Sequence, residues 1–190
     1  MSEKTADRRT LKTQKAIREA LAQLLMEKEL HKVTVQEIAD IADVNRVTFY
    51  KHYLDVYDLF DKIEQDLLID LGLLILRLEE LPSKEIFKHL IDYIDENRTV
   101  FKMMFCPNST GQLRDKFSKC LEGLFRQIES EKINADLSNS KLSFRTCYRA
   151  QGCIAIISKW VQGDFSESKD FLFSIITELD QNTEKLISSK

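Results

Sequence analysis

Apolar residues recur every three or four positions through most of this chain, the spacing that places them on one face of an α-helix. The pattern predicts three helices within the first 53 residues and six after them, with loops at 107–111 and 130–142. The clearest of the predicted helices span residues 8–28, 55–81, 144–162 and 168–187. Only five Gly and two Pro occur among 190 residues. Because helix breakers are so few, the sequence predicts an all-α fold.

Residues 34–53 predict two short helices joined by a tight turn. Thr34 is followed three residues later by Glu37, which is the capping-box pattern, in which each side chain satisfies an orphan backbone N–H of the other residue. The helical spacing then stops at Asp43-Val44, and Asn45 is a favourable cap for a second helix. This order of elements is typical of a helix-turn-helix, whose second helix enters the major groove of DNA.

The same stretch closely resembles the N-terminal domain of TetR-family transcription regulators. The likeness rests on Thr-Val-Gln-Glu-Ile-Ala from Thr34 and on Ala-Asp-Val-Asn-Arg-Val-Thr-Phe-Tyr-Lys-His-Tyr ending at Tyr53, and it covers about residues 8–60. The family's usual Lys two residues into the next helix is Val56 here, so the likeness does not extend to a phosphate contact at that position. The resemblance implies a homodimeric regulator with a three-helix DNA-binding head, a six-helix body that often binds a small effector, and a double-stranded DNA operator as partner.

The helix-turn-helix and the resemblance together predict the residues that contact DNA. They are Thr34, Arg46, Val47, Thr48, Tyr50, Lys51 and Tyr53. Arg46, Thr48 and Lys51 are expected to face the groove. Tyr50 and Tyr53 are expected to contact phosphates, and Thr34 with its helix N-terminus is expected to hold another. Phe49 is expected in the core of the head.

Residues 1–54 are predicted to form the DNA-binding domain, and residues 55–190 the regulatory and dimerisation domain. The second domain contains a group of aromatic and Met side chains that suits an adaptable apolar pocket for a small apolar effector. The pocket residues expected from this group are Tyr93, Phe101, Met104, Phe105, Phe117 and Trp160. The same residues would also serve as an ordinary core, and the sequence leaves both interpretations open.

The last two predicted helices favour a homodimer. The helix at 144–162 is apolar on nearly all sides, and the helix at 168–187 has a second wide apolar face. Two such helices from each chain can form a four-helix bundle about a two-fold axis. Gly152 would permit close approach of a neighbouring helix, either from the partner or within one chain. The predicted interface residues are Tyr148, Gly152, Ile156, Trp160, Phe171 and Ile175.

Charge is distributed unevenly along the chain, whose net charge is −3. Residues 1–53 contain ten Lys/Arg and eight Asp/Glu, and residues 54–190 contain eighteen and twenty-three. A basic head and a more acidic body agree with DNA binding by the head alone. The excess of positive charge in residues 1–53 is small, so one head alone is expected to bind DNA weakly. Two heads are therefore expected to bind together.

Other classes of protein have less support in the sequence. It contains no Gly-rich phosphate loop, no Gly-x-Ser-x-Gly elbow and no His-Glu-x-x-His pair, so no catalytic residues, metal or cofactor are expected. The four Cys are expected to be small core residues in a reducing compartment. A polar N-terminus and the lack of an eighteen-residue apolar run predict a cytoplasmic protein without a membrane segment. The alternative to a DNA-binding regulator is a helical module of the same fold that acts through a protein partner without binding DNA.

Overall fold

The structure is a computed structural model that describes residues 2–79, 81, 83–106, 108, 111–133 and 139–188. Within these ranges every regular element is a helix, which confirms the predicted all-α class. In chain order the helices are α1 (Ser2–Glu27), α2 (Val35–Ile41), α3 (Arg46–Tyr50), α4 (Val56–Glu79), α5 (Ser83–Glu96), α6 (Arg98–Phe105), α7 (Gln112–Ile133), α8 (Ser140–Gln162) and α9 (Lys169–Ser188), with a 3-10 turn at Leu30–Lys32.

Two helices begin earlier than their apolar spacing suggested. Asn139 caps α8, because its side-chain oxygen accepts hydrogen bonds from the backbone N–H groups of Lys141 at 2.9 Å and Leu142 at 3.3 Å. The helix therefore starts at Ser140, four residues before the predicted limit. α1 likewise begins at Ser2 instead of residue 8. Polar first turns carry no apolar repeat, so a pattern based on hydrophobic spacing misses them.

The described residues group into two compact units, and the division falls within α4. The first unit contains Met1–Leu67 and Thr99–Gly111, and the second contains Leu68–Arg98 and Gln112–Lys190. The predicted boundary after residue 54 differs from this grouping. The start of α4 groups with the first unit, in which Leu59 and Ile63 are buried. Residues 99–111 group with it too, and there the side-chain amide of Asn108 donates a 3.0 Å hydrogen bond to the backbone carbonyl of Leu25.

The first unit has a tight core built from one long and several short helices. α1 packs against α2, and α2 packs against α3. Its fully buried side chains include Ile17, Leu21, Leu25, Ile38, Phe49, Leu59 and Ile63. Removing a side chain of this size from water contributes about 1.5–3 kcal/mol. Helices as short as α2 and α3 would be unstable alone, so this burial is what stabilises them.

The second unit is assembled by pairing of its longer helices. α7 lies along α8, α5 packs against α9, and α8 also contacts α9. One buried cluster joins three helices through Leu78, Ile86 and Leu124. Among the described residues, none of the helices combines the length and the apolar character that a bilayer crossing requires.

A buried ionic network ties α7, α8 and α9 together. Arg149 on α8 donates two 2.8 Å hydrogen bonds to the carboxylate of Asp180 on α9 and one of 2.5 Å to Glu129 on α7. Burial alone would lower the pKa of the Arg149 guanidinium, but the hydrogen bonds and charges of Asp180 and Glu129 raise it above its ordinary value. The guanidinium also lies 4.7 Å from the ring centroid of Phe125. The network fixes the relative position of the three helices, since each charge depends on its partners.

Candidate nucleic-acid interface

The first turn of α2 is closed by the predicted capping box. The backbone N–H of Glu37 donates to the Thr34 hydroxyl at 3.3 Å, and the backbone N–H of Thr34 donates to the Glu37 carboxylate at 3.0 Å. The Thr34 hydroxyl in turn donates to the same carboxylate at 2.8 Å. The capping-box prediction is confirmed.

Lys28, just after α1, forms an ion pair with the Glu37 carboxylate. Hydrogen bonds from Lys28 and Thr34 lower the pKa of Glu37 from its ordinary 4.5 to about 2. Glu37 is therefore an ionised acceptor that links the end of α1 to the start of α2. This ion pair holds the start of α2 against the end of α1. The turn and α3 follow α2 in the chain, so their position depends on this contact.

The turn between α2 and α3 depends on a left-handed residue and a cap. Asp43 has φ 52°, a conformation that Asp tolerates better than most residues because its short polar side chain can bond locally. The backbone N–H of Val44 then returns to the carbonyl of Ala39 at 3.0 Å. Asn45 accepts a 2.8 Å hydrogen bond from the backbone N–H of Val47, as the sequence predicted for the cap of α3. The helix-turn-helix is thus defined by local hydrogen bonds.

α3 has one buried side and one exposed side. Phe49 is fully buried, as predicted, and anchors the helix to the core. Val47 and Tyr50 are 64% and 50% exposed, while Arg46 and Lys51 are also exposed and Thr48 is half-buried. The Tyr50 ring packs edge-on against Phe49 at 5.6 Å between centroids, which orients it without covering it. Four predicted contact residues are thereby brought together on one short helix, and Lys51 is its C-cap.

Tyr53 must be removed from the predicted contact set. Its side chain is only 3% exposed, and its hydroxyl is shielded from solvent. The ring lies 5.6 Å from that of Phe49, and the Lys62 ammonium lies 5.4 Å from its centroid. Tyr53 is therefore a core residue that supports α3, and a phosphate could not contact its hydroxyl in this structure.

Thr34 is exposed, but its side chain is already engaged. Its single hydroxyl proton is directed at Glu37, so it has no donor left for a phosphate oxygen. A contact from this side chain would exchange the bond from its hydroxyl to Glu37 for one to a phosphate oxygen, while both backbone hydrogen bonds of the capping box remain. Thr34 therefore stays in the predicted contact set. Val56, which occupies the position of the family's Lys, is buried.

The exposed faces of α8 and α9 carry most of the predicted dimer residues. Tyr148 is 70% exposed, Phe171 is exposed, and Ile156 and Ile175 are half-buried. A Cβ added at Gly152 would meet no atom within 4 Å, so no neighbouring helix of the same chain requires this glycine. Gly152 instead lines a groove of about 240 Å³ between α8 and α9.

Two exposed residues of this face were missed, and one was assigned to it wrongly. Phe144 is 81% exposed and Leu179 is also exposed. Each lies four residues from a predicted interface residue, and that spacing would have identified both. Trp160 is 3% exposed, and its indole N–H donates a 2.9 Å hydrogen bond to the carbonyl of Glu167. Because the Trp160 ring is buried within its own unit, it cannot contact a second chain, and Trp160 is removed from the predicted interface set.

The predicted effector-pocket residues are divided between the two units. Phe101, Met104 and Phe105 belong to the first unit, and Tyr93, Phe117 and Trp160 belong to the second. Five of the six are buried, and Tyr93 is half-buried. Burial raises the pKa of the Tyr93 hydroxyl to about 12. Since the five buried side chains pack in the unit interiors, the core interpretation of this group is the one that their burial favours.

The described residues contain no cluster of three or more His, Cys, Asp or Glu side chains placed to hold a metal ion. All four cysteines are free thiols. Cys106 and Cys153 are buried, and burial raises the pKa of the Cys153 thiol to about 12. These two cysteines therefore pack as small apolar residues, as predicted.

Comparison with known proteins agrees with the class that the fold and site define, a helix-turn-helix transcription regulator. Residues 17–63 match the family described as "Bacterial regulatory proteins, tetR family", and residues 83–182 match the one described as "Transcriptional regulator C-terminal region". The chain belongs to the TetR family of transcription regulators.

One curated relative and two solved structures illustrate the likeness. YxbF of Bacillus subtilis (strain 168), an HTH-type transcriptional regulator, is 23% identical over an alignment of 171 residues, and the match covers 86% of this chain and 43% of the relative. The chain thus spans less than half the length of that relative. The dihydroxyacetone kinase operon activator DhaS is 23% identical with a TM-score of 0.56, covering 92% of this chain and 97% of that one. FadR of Bacillus subtilis, solved in complex with stearoyl-CoA, is 18% identical with a TM-score of 0.57, covering 86% and 95%. At these identities the two structures establish the shared fold.

Proposed function

We propose that this protein is a homodimeric repressor that binds a palindromic DNA operator through α3. The observation that carries the proposal is the exposed side of α3, which presents Arg46, Val47 and Tyr50, with Lys51 exposed at its C-cap, while Phe49 holds the helix in the core. One helix of five residues can read only a few base pairs. Two copies related by a two-fold axis read two half-sites, spaced by about 34 Å or a little more. A protein that binds chromosomal DNA in a bacterium works in the cytoplasm, so the proposal includes that location.

Each predicted contact residue of α3 and of its C-cap has a chemical role in this proposal. Arg46 and Lys51 donate to acceptor atoms at the edges of bases in the major groove, and Thr48 can donate or accept. Val47 offers an apolar surface that suits a thymine methyl group. Tyr50 donates its hydroxyl to a phosphate oxygen, which positions the helix without reading sequence.

The exposed face of α8 and α9 is proposed as the dimer interface. Its aromatic residues would be costly to leave in water, and their clustering on two adjacent helices is typical of an interface between subunits. Tyr148 and Gly152 line the groove on α8, and Leu179 lines it on α9. A side chain from a second copy would fill this groove, as a knob fills a hole in a helical bundle.

A small apolar or amphipathic effector is proposed to lower the affinity for the operator. The structure of FadR in complex with stearoyl-CoA, which has the same fold, supports this part of the proposal. An effector acts only if it binds more tightly to a form of the dimer that does not fit the operator. A coupling of about 1–3 kcal/mol would suffice for regulation.

Selection of operator DNA from a random pool with purified protein tests the proposal. We expect enrichment of an inverted repeat and binding by two chains per duplex, measured by gel shift and light scattering. A promoter carrying that repeat should then be transcribed less when the protein is added in vitro. An increase in transcription would make the protein an activator instead. No enrichment above the input pool would favour the alternative of a module acting through a protein partner.

A further inference from the structure

A second groove lies in the second unit between α7 and α8. It has a volume of about 620 Å³. Arg114 contributes from the first turn of α7, and Gln151, Ser158 and Lys159 contribute from α8. None of these residues belongs to α3, and Ala155 and Lys159 follow Tyr148 and Gly152 along α8 at helical spacing, so the groove borders the proposed dimer face. Its positive charge is a feature that DNA binding by α3 leaves unexplained.

The charge of this groove is opposite to that of its surroundings. Its lining includes two cations and no carboxylate, although residues 54–190 contain more Asp/Glu than Lys/Arg. Neither Arg114 nor Lys159 forms an ion pair with any described residue. Some other cations of the second unit are paired within it: Lys169, for example, lies 2.7 Å from Asp92. Two unpaired cations in one concave surface attract an anion, because no internal carboxylate competes for them.

The remaining lining groups add hydrogen bonds and an apolar surface. Gln151 donates one side-chain N–H to the Ser118 hydroxyl at 2.8 Å, which orients its amide and leaves a second N–H donor. Ser158 adds a hydroxyl, while Ile154 and Ala155 add an apolar surface. A ligand that matches all these groups has an anionic head and a short apolar part.

We propose that the groove between α7 and α8 binds a small organic anion, a carboxylate or a phosphate monoester with a short alkyl group. Arg114 and Lys159 bind the anionic head, and Ile154 and Ala155 contact the alkyl group. Lys159 also lies in the last turn of α8, where a cation offsets the negative end of the helix dipole. That role alone would affect helix stability without creating a ligand site, so the test must measure binding directly.

Calorimetry and NMR titration of the full chain with hexanoate and hexyl phosphate test the proposal. We expect saturable binding and shifts of the amide signals of residues 112–115 and 155–163. Hexanol lacks the charge and inorganic phosphate lacks the alkyl group, so each should bind at least about tenfold more weakly. Equal binding of inorganic phosphate would reduce the site to a plain phosphate site and overturn the amphiphilic assignment. No saturable binding of either amphiphile at millimolar concentration would overturn the site itself.

Variants separate binding in the groove from general electrostatic attraction. Arg114→Gln and Lys159→Gln should each weaken hexanoate binding about tenfold, and Ala155→Glu should abolish it by placing a carboxylate in the groove. Lys119→Gln removes the same charge from an exposed position of α7 that does not line the groove and should bind normally. Unchanged thermal melting would show that all four variants fold. Full binding by the Arg114→Gln/Lys159→Gln double variant would contradict the proposal, whether or not the protein binds DNA.

Discussion

Lys28 forms an ion pair with Glu37 and thereby joins the end of α1 to the capping box of α2. The same carboxylate accepts the backbone N–H and the hydroxyl of Thr34. The Glu37 side chain therefore accepts a hydrogen bond that the first turn of α2 would otherwise leave unmade, and it also holds α2 against the end of α1. Because α3 follows after a short turn, this contact sets the geometry from which the recognition helix is presented.

The stability of the first unit should depend on the charge of Glu37. Its pKa in the folded state is about 2, below the ordinary value of 4.5. A lowered carboxyl pKa means that the contribution is full above pH 4.5 and is lost as the pH falls toward 2. Glu37→Gln should therefore be less stable than the wild type at pH 7, and the difference should shrink between pH 4.5 and 2.

Urea unfolding followed by circular dichroism at several pH values measures this difference. Glu19→Gln is the control, because it removes an exposed carboxylate of α1 whose nearest cation, Lys15, is 3.9 Å away. It should change stability little at any pH. A deficit for Glu37→Gln that stayed constant from pH 7 to pH 2 would show that the charge of Glu37 is not what stabilises the cap.

Variants of α3 should separate phosphate contacts from base contacts. Tyr50→Ala should weaken binding to all duplexes by about tenfold, because a hydrogen bond to a charged phosphate is lost. Lys51→Ala and Thr48→Ala should instead cost about 1–3 kcal/mol on the preferred operator and relax base preference at one position. Quantitative gel shifts over a range of salt concentrations measure both effects.

Lys119→Ala is the control for Lys51→Ala, because it removes one positive charge from the second unit instead of from the end of α3. It should leave the affinity for DNA and its salt dependence nearly unchanged. Intact affinity and salt dependence in Tyr50→Ala would show that the proposed docking of α3 is wrong.

The buried network of α7, α8 and α9 should be a major determinant of stability. Arg149→Met leaves the buried carboxylate of Glu129 and the half-buried carboxylate of Asp180 without their main partner, which should cost about 3–5 kcal/mol. Chemical denaturation monitored by circular dichroism measures the loss. Lys169→Met is the control, since it removes an exposed cation whose pairs with Asp92 and Asp95 are largely open to solvent. Equal destabilisation by both variants would mean that burial is not the reason for the effect.

The dimer should dissociate when a charge is placed on its exposed face. Tyr148→Glu changes a 70% exposed side chain, so the monomer should retain its helical content while its mass by light scattering halves and operator binding is lost. Phe144→Glu should behave in the same way.

Ile157→Glu tests the opposite side of α8. Ile157 is fully buried within its own unit, so an unpaired carboxylate there should cost several kcal/mol and unfold the chain instead of producing a monomer. A wild-type chain that is already monomeric at micromolar concentration would remove the dimer from the proposed function, and an undiminished dimer in Tyr148→Glu would move the interface elsewhere.

The sequence by itself determined the helical class, the capping box, the turn and the buried position of Phe49. Each of these depends on interactions between residues close in the chain: a cap bonds a residue three positions away, and apolar spacing reports one face of one helix. The exposed side of α3 followed from the same local logic, because a helix anchored by Phe49 must present the residues on its other side.

Only the tertiary structure decided how residues distant in the chain are used. Tyr53 and Trp160 have side chains that suit either a core or an interface, and their burial depends on which helices pack over them. Gly152 was ambiguous until the space around it was known. The Arg149 network and the groove between α7 and α8 join residues more than thirty positions apart in the sequence, such as Arg149 with Asp180 and Ser118 with Gln151. Helical periodicity carries no information about such pairs, because it describes each helix separately and not the partner against which the helix packs.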